Sequence, residues 1–175
     1  MIAQLPAAAP AAQYPEFLDA LRASGFRGQI SADYATRTVL ATDNSIYQRL
    51  PQAAVFPLDA DDVARVATLM DEARFQAVKL TPRGGGTGTN GQSLTDGIVV
   101  DLSRHMNRIL EINVQERWVR VQAGTVKDQL NAARKHHGLV FVPELSTFNR
   151  ATGGGMNNTD GSGQGSWPHG KTSEH

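Results

Sequence analysis

Across residues 14–24 the apolar side chains Phe17, Leu18 and Leu21 recur at helical spacing, with Glu16 near the start and Gly25 placed to stop the element. The pattern predicts a short amphipathic helix. Residues 26–50 are mixed and polar and give no clear period, beyond a turn at Asp43-Asn44-Ser45 ahead of Ile46 and Tyr47. Residues 53–57 form a brief apolar run that predicts a strand. Residues 59–74 carry the strongest helical signal, with Val63, Val66, Ala67, Met70 and Ala73 on one side. Asp59, Asp61 and Asp62 suit the positive end of the peptide dipoles there, and with Glu72 they are expected on the solvent surface. Residues 77–80 then predict a second strand, completing a strand-helix-strand unit.

Farther along, residues 97–101 and 109–113 read as short strands, and residues 118–122 alternate Trp118, Arg120 and Gln122 against Val119 and Val121. Thr125 is expected to cap a helix reaching about His136, with Val126, Leu130 and Ala133 inward and Gly138 as its stop. Residues 140–142 predict a last strand. From Pro143 on, the chain is mostly Gly, Asn, Thr and Ser, and so little apolar area does not offset the entropy of ordering it. A poorly ordered tail follows, unless a ligand or further polypeptide packs there. The expected fold is α+β: a flexible leader at 1–13, a small strand-helix-strand subdomain over about 14–82, and a second, strand-rich subdomain over about 83–175.

Composition narrows the function classes. Lys and Arg together number 17, equal to Asp and Glu, so no overall positive field points to nucleic acid as a partner. With no cysteine, disulfides, thiolate nucleophiles and iron–sulfur ligation within this chain are excluded. No apolar run approaches the roughly 20 residues that span a bilayer. The Ala- and Pro-rich start lacks the basic n-region of a secretory signal, and the expected location is cytoplasmic.

Candidate chemistry centres on Arg83-Gly84-Gly85-Gly86-Thr87-Gly88-Thr89-Asn90-Gly91-Gln92. A loop almost without Cβ atoms can bring several backbone N–H groups against one anion, and a cofactor phosphate is the natural candidate. The segment from Gly86 to Gly91 fits the dinucleotide pattern G-x-G-x-x-G, but a strand follows where that fold needs a helix. The segment from Gly165 to Thr172 fits the P-loop pattern letter for letter, yet lacks a preceding buried strand, and Pro168 removes one cradle N–H. His136 and His137 are adjacent and read as a solvated helix end, and Trp167 as an exposed aromatic.

Three segments in order carry a resemblance: residues 81–91, residues 119–125, and Pro143-Glu144-Leu145-Ser146 followed by Thr152-Gly153-Gly154-Gly155-Met156. Together they resemble the flavin-binding domain of the p-cresol methylhydroxylase and vanillyl-alcohol oxidase superfamily. Ser45-Ile46-Tyr47, residues 103–108 and Gly163-Gln164-Gly165-Ser166 are most similar to large bacterial FAD and iron–sulfur dehydrogenases of D-2-hydroxy acids, of the 2-hydroxyglutarate and lactate type. The resemblance implies FAD as cofactor. It implies that Gly84, Gly85, Gly86, Gly88 and Gly91 give close backbone approach to the pyrophosphate, with Thr87, Thr89 and Asn90 adding side-chain donors and Arg83 assisting or bracing the loop. It assigns Pro143, Glu144, Ser146, Thr152, Gly154, Gly155 and Gly163 to the flavin ring and the rest of the diphosphate, with Asn158, Asp160 and Ser162 as polar contacts. Hydride passes from a small 2-hydroxy acid to the flavin in such enzymes, and the groups that hold that substrate are expected in a later domain.

Departures from the family pattern fall near the end: Gly153 and Asn157 stand where large aliphatic residues are expected, Gly161 for an alanine, and His169 for a tyrosine. Glycine in place of a buried aliphatic costs roughly 2–5 kcal/mol. With the chain ending at His175, these changes imply an N-terminal fragment, truncated or decayed, without catalytic activity of its own. A fragment that binds nothing and an unrelated phosphate or nucleotide binder remain as alternatives.

Overall fold

The computed structural model describes residues 10–175, which divide into two compact units: the chain up to Arg83 together with Gly88–Asp101, and Gly84–Thr87 together with Leu102–His175. Of the expected leader, residues 1–9 lie outside the described residues. The Ala11 N–H donates to Gln52 Oε1 at 2.9 Å, and Gln13 already belongs to the first helix.

In the first unit, α1 (Gln13–Ala23) buries Tyr14, Phe17, Leu18 and Leu21, the stripe that the apolar spacing predicts. Phe17 meets Phe75 edge to face, with ring centroids 5.1 Å apart. The polar stretch that showed no period holds β1 (Gln29–Ser31) and α2 (Tyr34–Leu40), whose N-cap is the Asp33 side chain. β2 (Ala53–Phe56), α3 (Ala60–Met70) and β3 (Leu80–Arg83) follow, and β4 (Ile98–Asp101) completes a four-stranded sheet of order β1-β2-β4-β3. β2 and β3 both run parallel to β4, and β1 runs antiparallel to β2. β2 and β4 are buried at every position, which explains their uninterrupted apolar sequences. Leu40, Ala54, Phe56 and Val99 form a core cluster between α2 and the sheet. Pro82 is tolerated because β3 is an edge strand.

Several expectations for this unit are corrected. The strand expected at 77–80 begins at Leu80, because a 3-10 turn over Ala73–Phe75 and the Val78 N–H to Phe75 C=O bond keep the chain turning until then. The inward stripe of α3 is Asp62, Val66 and Leu69. Asp62 is therefore not on the surface: it is 0% exposed and accepts the Arg27 and Leu58 N–H groups at 3.1 and 3.0 Å, with Arg27 and Arg65 each 3.7 Å away. β4 follows the glycine loop in sequence and stands inside this first sheet, so Gly88–Asp101 belong to the first compact unit.

In the second unit, β5 (Ile109–Asn113) and β6 (Trp118–Val121) form an antiparallel hairpin, with Arg117 at φ 59 in its turn. Helix α4 (Lys127–Arg134) follows, extended by a 3-10 turn over Lys135–His137 and closed by Gly138 at φ 65. Its cap is not Thr125, whose hydroxyl donates to the Arg108 C=O at 3.2 Å. The opening N–H groups of Lys127 and Asp128 instead donate to the Ala151 and Phe148 carbonyls. Its buried face is Lys127, Leu130 and Arg134, one position off the expected Ala133, and burial lowers the Arg134 pKa. Residues 140–142 are not a strand, because both the N–H and the C=O of Phe141 bond to the Asn131 carboxamide.

The expected poorly ordered tail instead forms α5 (Gly153–Asn158), α6 (Ser166–His169) and a 3-10 turn over Thr172–Glu174. Backbone bonds from Gly153 to Thr125 and from Gly154 to Ala123 tie α5 down, and Ala151, Thr152 and Met156 are buried. Paired backbone groups here supply the order that apolar area alone would not. Gly153 leaves room for a Cβ, with Val121 3.6 Å away, whereas Asn157 and His169 are exposed, where polar side chains are solvated at little cost.

Candidate functional site

The glycine loop leaves β3 and reaches β4 without a helix, so the dinucleotide pattern has no helix to open. Gly165 is preceded by irregular chain, and the P-loop pattern likewise lacks its strand.

Both ends of the loop are pinned to one segment of the first unit. Arg83, at its start, is buried and donates to the Leu40 and Thr42 carbonyls at 3.3 and 2.7 Å. Ser93, just past its end, donates to Asp43 Oδ2 at 3.0 Å. Asp43 also accepts the Ser45 N–H at 2.8 Å. Burial pushes the Asp43 pKa up, but hydrogen bonds from Ser45 and Ser93 and the charge of Arg83 together hold it below the usual carboxylate value. The Ser45 hydroxyl accepts from the Tyr47 N–H, and the Tyr47 ring lies 3.0 Å from where a Cβ at Gly91 would stand. Arg83 thus braces the loop.

The glycines divide by role. A Cβ on Gly84 would lie 2.1 Å from Thr152 Oγ1, and one on Gly85 2.1 Å from the Arg150 C=O, while the Arg150 guanidinium donates to the Gly85 C=O at 3.2 Å. These two let the chain before α5 pack against the loop. Gly86 and Gly91 have φ of 63 and 72, a region that side chains disfavour. Among the described residues the N–H groups of Gly85, Gly86, Thr87, Gly88 and Thr89 make no hydrogen bond, whereas the Asn90 N–H donates to Gln92 Oε1 at 3.0 Å. Five successive unpaired donors in a glycine-rich loop are the means by which backbone binds an anion.

The other predicted site residues lie in the second unit. Pro143 and Thr152 are buried, and Glu144 and Ser146 are exposed. The Gly154 N–H is committed to the Ala123 C=O, and the Gly163 N–H to Ser166 Oγ. Gly163 is required because a Cβ would meet the Glu144 C=O at 1.8 Å. Asp160 adopts φ 47, and its carboxylate accepts the Ser173 N–H at 3.1 Å and faces Lys171 at 3.4 Å; the Ser173 bonds, then Lys171, hold its pKa below the usual value. Gly155, Asn158 and Ser162 are exposed; the Gly155 C=O accepts the Thr159 N–H and hydroxyl at 3.1 and 2.9 Å, whereas the Gly155 N–H and the Asn158 and Ser162 side chains make no hydrogen bond among the described residues. Gln92 and Tyr47 were assigned no role from sequence. Nothing in the apolar pattern marks them, since both act through a glycine.

His136 and His137 are exposed, Trp167 is 97% exposed, and among the described residues no group of three His, Cys, Asp or Glu side chains is placed to hold a metal ion. Among the described residues no helix is long and apolar enough to cross a membrane.

Residues 51–175 match a family model described as FAD binding domain. D-2-hydroxyglutarate dehydrogenase of Pseudomonas putida is 86% identical over all 175 residues, which make up 17% of that protein. Among solved structures, alkyldihydroxyacetonephosphate synthase superposes with a TM-score of 0.82 at 23% identity, over 99% of this chain and 34% of that one. p-Cresol methylhydroxylase superposes with a TM-score of 0.66 at 16% identity, over 91% and 32%. The chain spans about one sixth of the length of the D-2-hydroxyglutarate dehydrogenases to which it is 60–86% identical.

Proposed function

The chain belongs to the FAD-binding-domain family, and from that premise we propose that it binds FAD through the residues 85–89 backbone as part of an oxidoreductase that oxidises a D-2-hydroxy acid. The observation that carries this reading is the row of five unpaired N–H donors, from Gly85 to Thr89, in a loop whose two ends are fixed by Arg83 and Ser93. Such donors suit the cofactor diphosphate, with the Thr87, Thr89 and Asn90 side chains able to add contacts. Gly155, Asn158 and Ser162 retain free polar groups for further cofactor contacts. Gly84, Thr152, Gly154, Asp160 and Gly163 serve mainly to shape the chain, because their groups are already packed or bonded. Pro143, Glu144 and Ser146 are the candidates for the flavin edge.

When bound, FAD supplies a hydride acceptor. The residues of this chain hold and orient it, and the groups that grip the 2-hydroxy acid and take its hydroxyl proton belong to the remainder of a longer protein of cytoplasmic location. The D-2-hydroxyglutarate class of substrate is supported by the 86% identical relative.

Titrating the purified chain with FAD, following flavin fluorescence and melting temperature, tests the reading. FAD is expected to bind and stabilise while ATP does not. Stabilisation by ATP alone would favour a different nucleotide, and substrate-dependent flavin reduction by the 175-residue chain would overturn the division of labour.

A further inference from the structure

The carboxamide of Gln92 fills the space that a side chain at Gly88 would take: a Cβ there would lie 2.4 Å from Cδ and 2.6 Å from both Nε2 and Oε1. The same Oε1 accepts the Asn90 N–H at 3.0 Å. Glycine at 88 is thus the condition for Gln92 to fold back, and Gln92 ends the row of open donors by taking the next N–H for itself. Behind it, Gly91 at φ 72 packs under Tyr47, and the Leu94 N–H closes a turn onto the Gly91 C=O at 3.0 Å. The group chosen for this post is a neutral acceptor. A carboxylate would bind the Asn90 N–H more strongly, yet it would set a negative charge against Gly88, in the loop whose remaining donors await an anion.

We propose that Gln92 is a positioning residue that holds the backbone of residues 88–90 in its anion-accepting form before any ligand arrives, and that its neutrality is required by the diphosphate. The proposal rests on the cofactor reading above. It makes Gln92 a determinant of charge specificity, a role distinct from that of the glycines.

The test compares Gln92→Glu and Gln92→Met with the parent chain, using ADP and adenosine as calorimetric probes and amide exchange at Asn90. Gln92→Glu is expected to weaken ADP about tenfold at neutral pH while leaving adenosine within about twofold, because the charge acts on phosphate alone. That penalty shrinks as the pH is lowered toward the ordinary glutamate value of about 4.3. Gln92→Met, of similar length but without the acceptor, speeds exchange at Asn90 and weakens ADP by a smaller, pH-independent factor; Gln92→Glu leaves Asn90 protected. Equal ADP losses in both variants at every pH, or equal losses for ADP and adenosine, overturn the neutrality requirement. Unchanged Asn90 exchange in Gln92→Met overturns the positioning role. A parent chain that binds neither ADP nor FAD sinks the cofactor reading and the neutrality requirement together, and the exchange comparison then still decides whether Gln92 holds the loop.

Discussion

Gly84 and Thr152 meet so closely that a Cβ on the glycine would lie 2.1 Å from the threonine Oγ1. The first glycine of the loop is therefore a packing residue for the chain that enters α5. Gly84→Ala is expected to destabilise the protein by about 1–3 kcal/mol through overpacking. In a Thr152→Ala background, where the Oγ1 is gone, the added cost should fall by at least about half, and urea melts of the four species of that cycle measure the coupling. Additive effects would count against direct packing.

Asp62 accepts two backbone N–H groups from a fully buried position beside two arginines. Its removal strands both donors and leaves Arg65, whose buried Nη1 has no hydrogen bond, without its nearest counter-charge. Asp62→Ala is expected to cost about 3 kcal/mol, and Asp62→Asn less, because the amide keeps one acceptor. Chemical denaturation with circular dichroism gives both values.

Much of the fold was legible because its strongest signals are local and apolar. The Phe17, Leu18, Leu21 stripe of α1 and the unbroken runs of β2 and β4 announce themselves by spacing alone. Asp62 was misplaced because charge argues for solvent unless its backbone partners are known, and those come from Arg27 and Leu58. Residues 140–142 were misread because the Asn131 side chain supplies the pairing that a neighbouring strand would. The site's outline was visible in the glycine run. Its division into packing and donor positions was not, because Arg150 and Thr152, which decide it, are distant in sequence.

Asp33 caps α2, accepting from the Ser31 hydroxyl and from the Thr36 N–H and hydroxyl at 2.8 and 2.7 Å. The Ser31 bond first, then those from Thr36, lower its pKa to about 2. The folded value lies below the unfolded one, so the cap's contribution is fully present above about pH 4 and is lost as the pH falls through about 2. Comparing the acid unfolding of the parent chain with that of Asp33→Asn checks this: the variant should show a shallower loss of stability over that window.

Arg117 sits at φ 59 in the β5–β6 turn, beside a network in which Glu116 accepts from the Asn113 side chain and the Trp118 indole at 3.0 and 2.6 Å. Arg117→Gly relieves the left-handed strain without touching that network. A gain of about 0.5–1 kcal/mol is expected, read as a higher melting temperature. No gain would mean that glycine's greater freedom in the unfolded chain offsets the relief.

The β5–β6 ribbon is the only sheet of its unit among the described residues, and it has just two strands, so the outward backbone groups on both its flanks lack a ladder partner there. Such flanks invite another chain to add on. Glu111 and Arg120, paired across the ribbon with Oε2 and Nη1 3.6 Å apart, set exposed charge on it. The hairpin thereby carries charge along a ribbon whose flanks are open, a composition that makes strand-to-strand self-pairing less favourable.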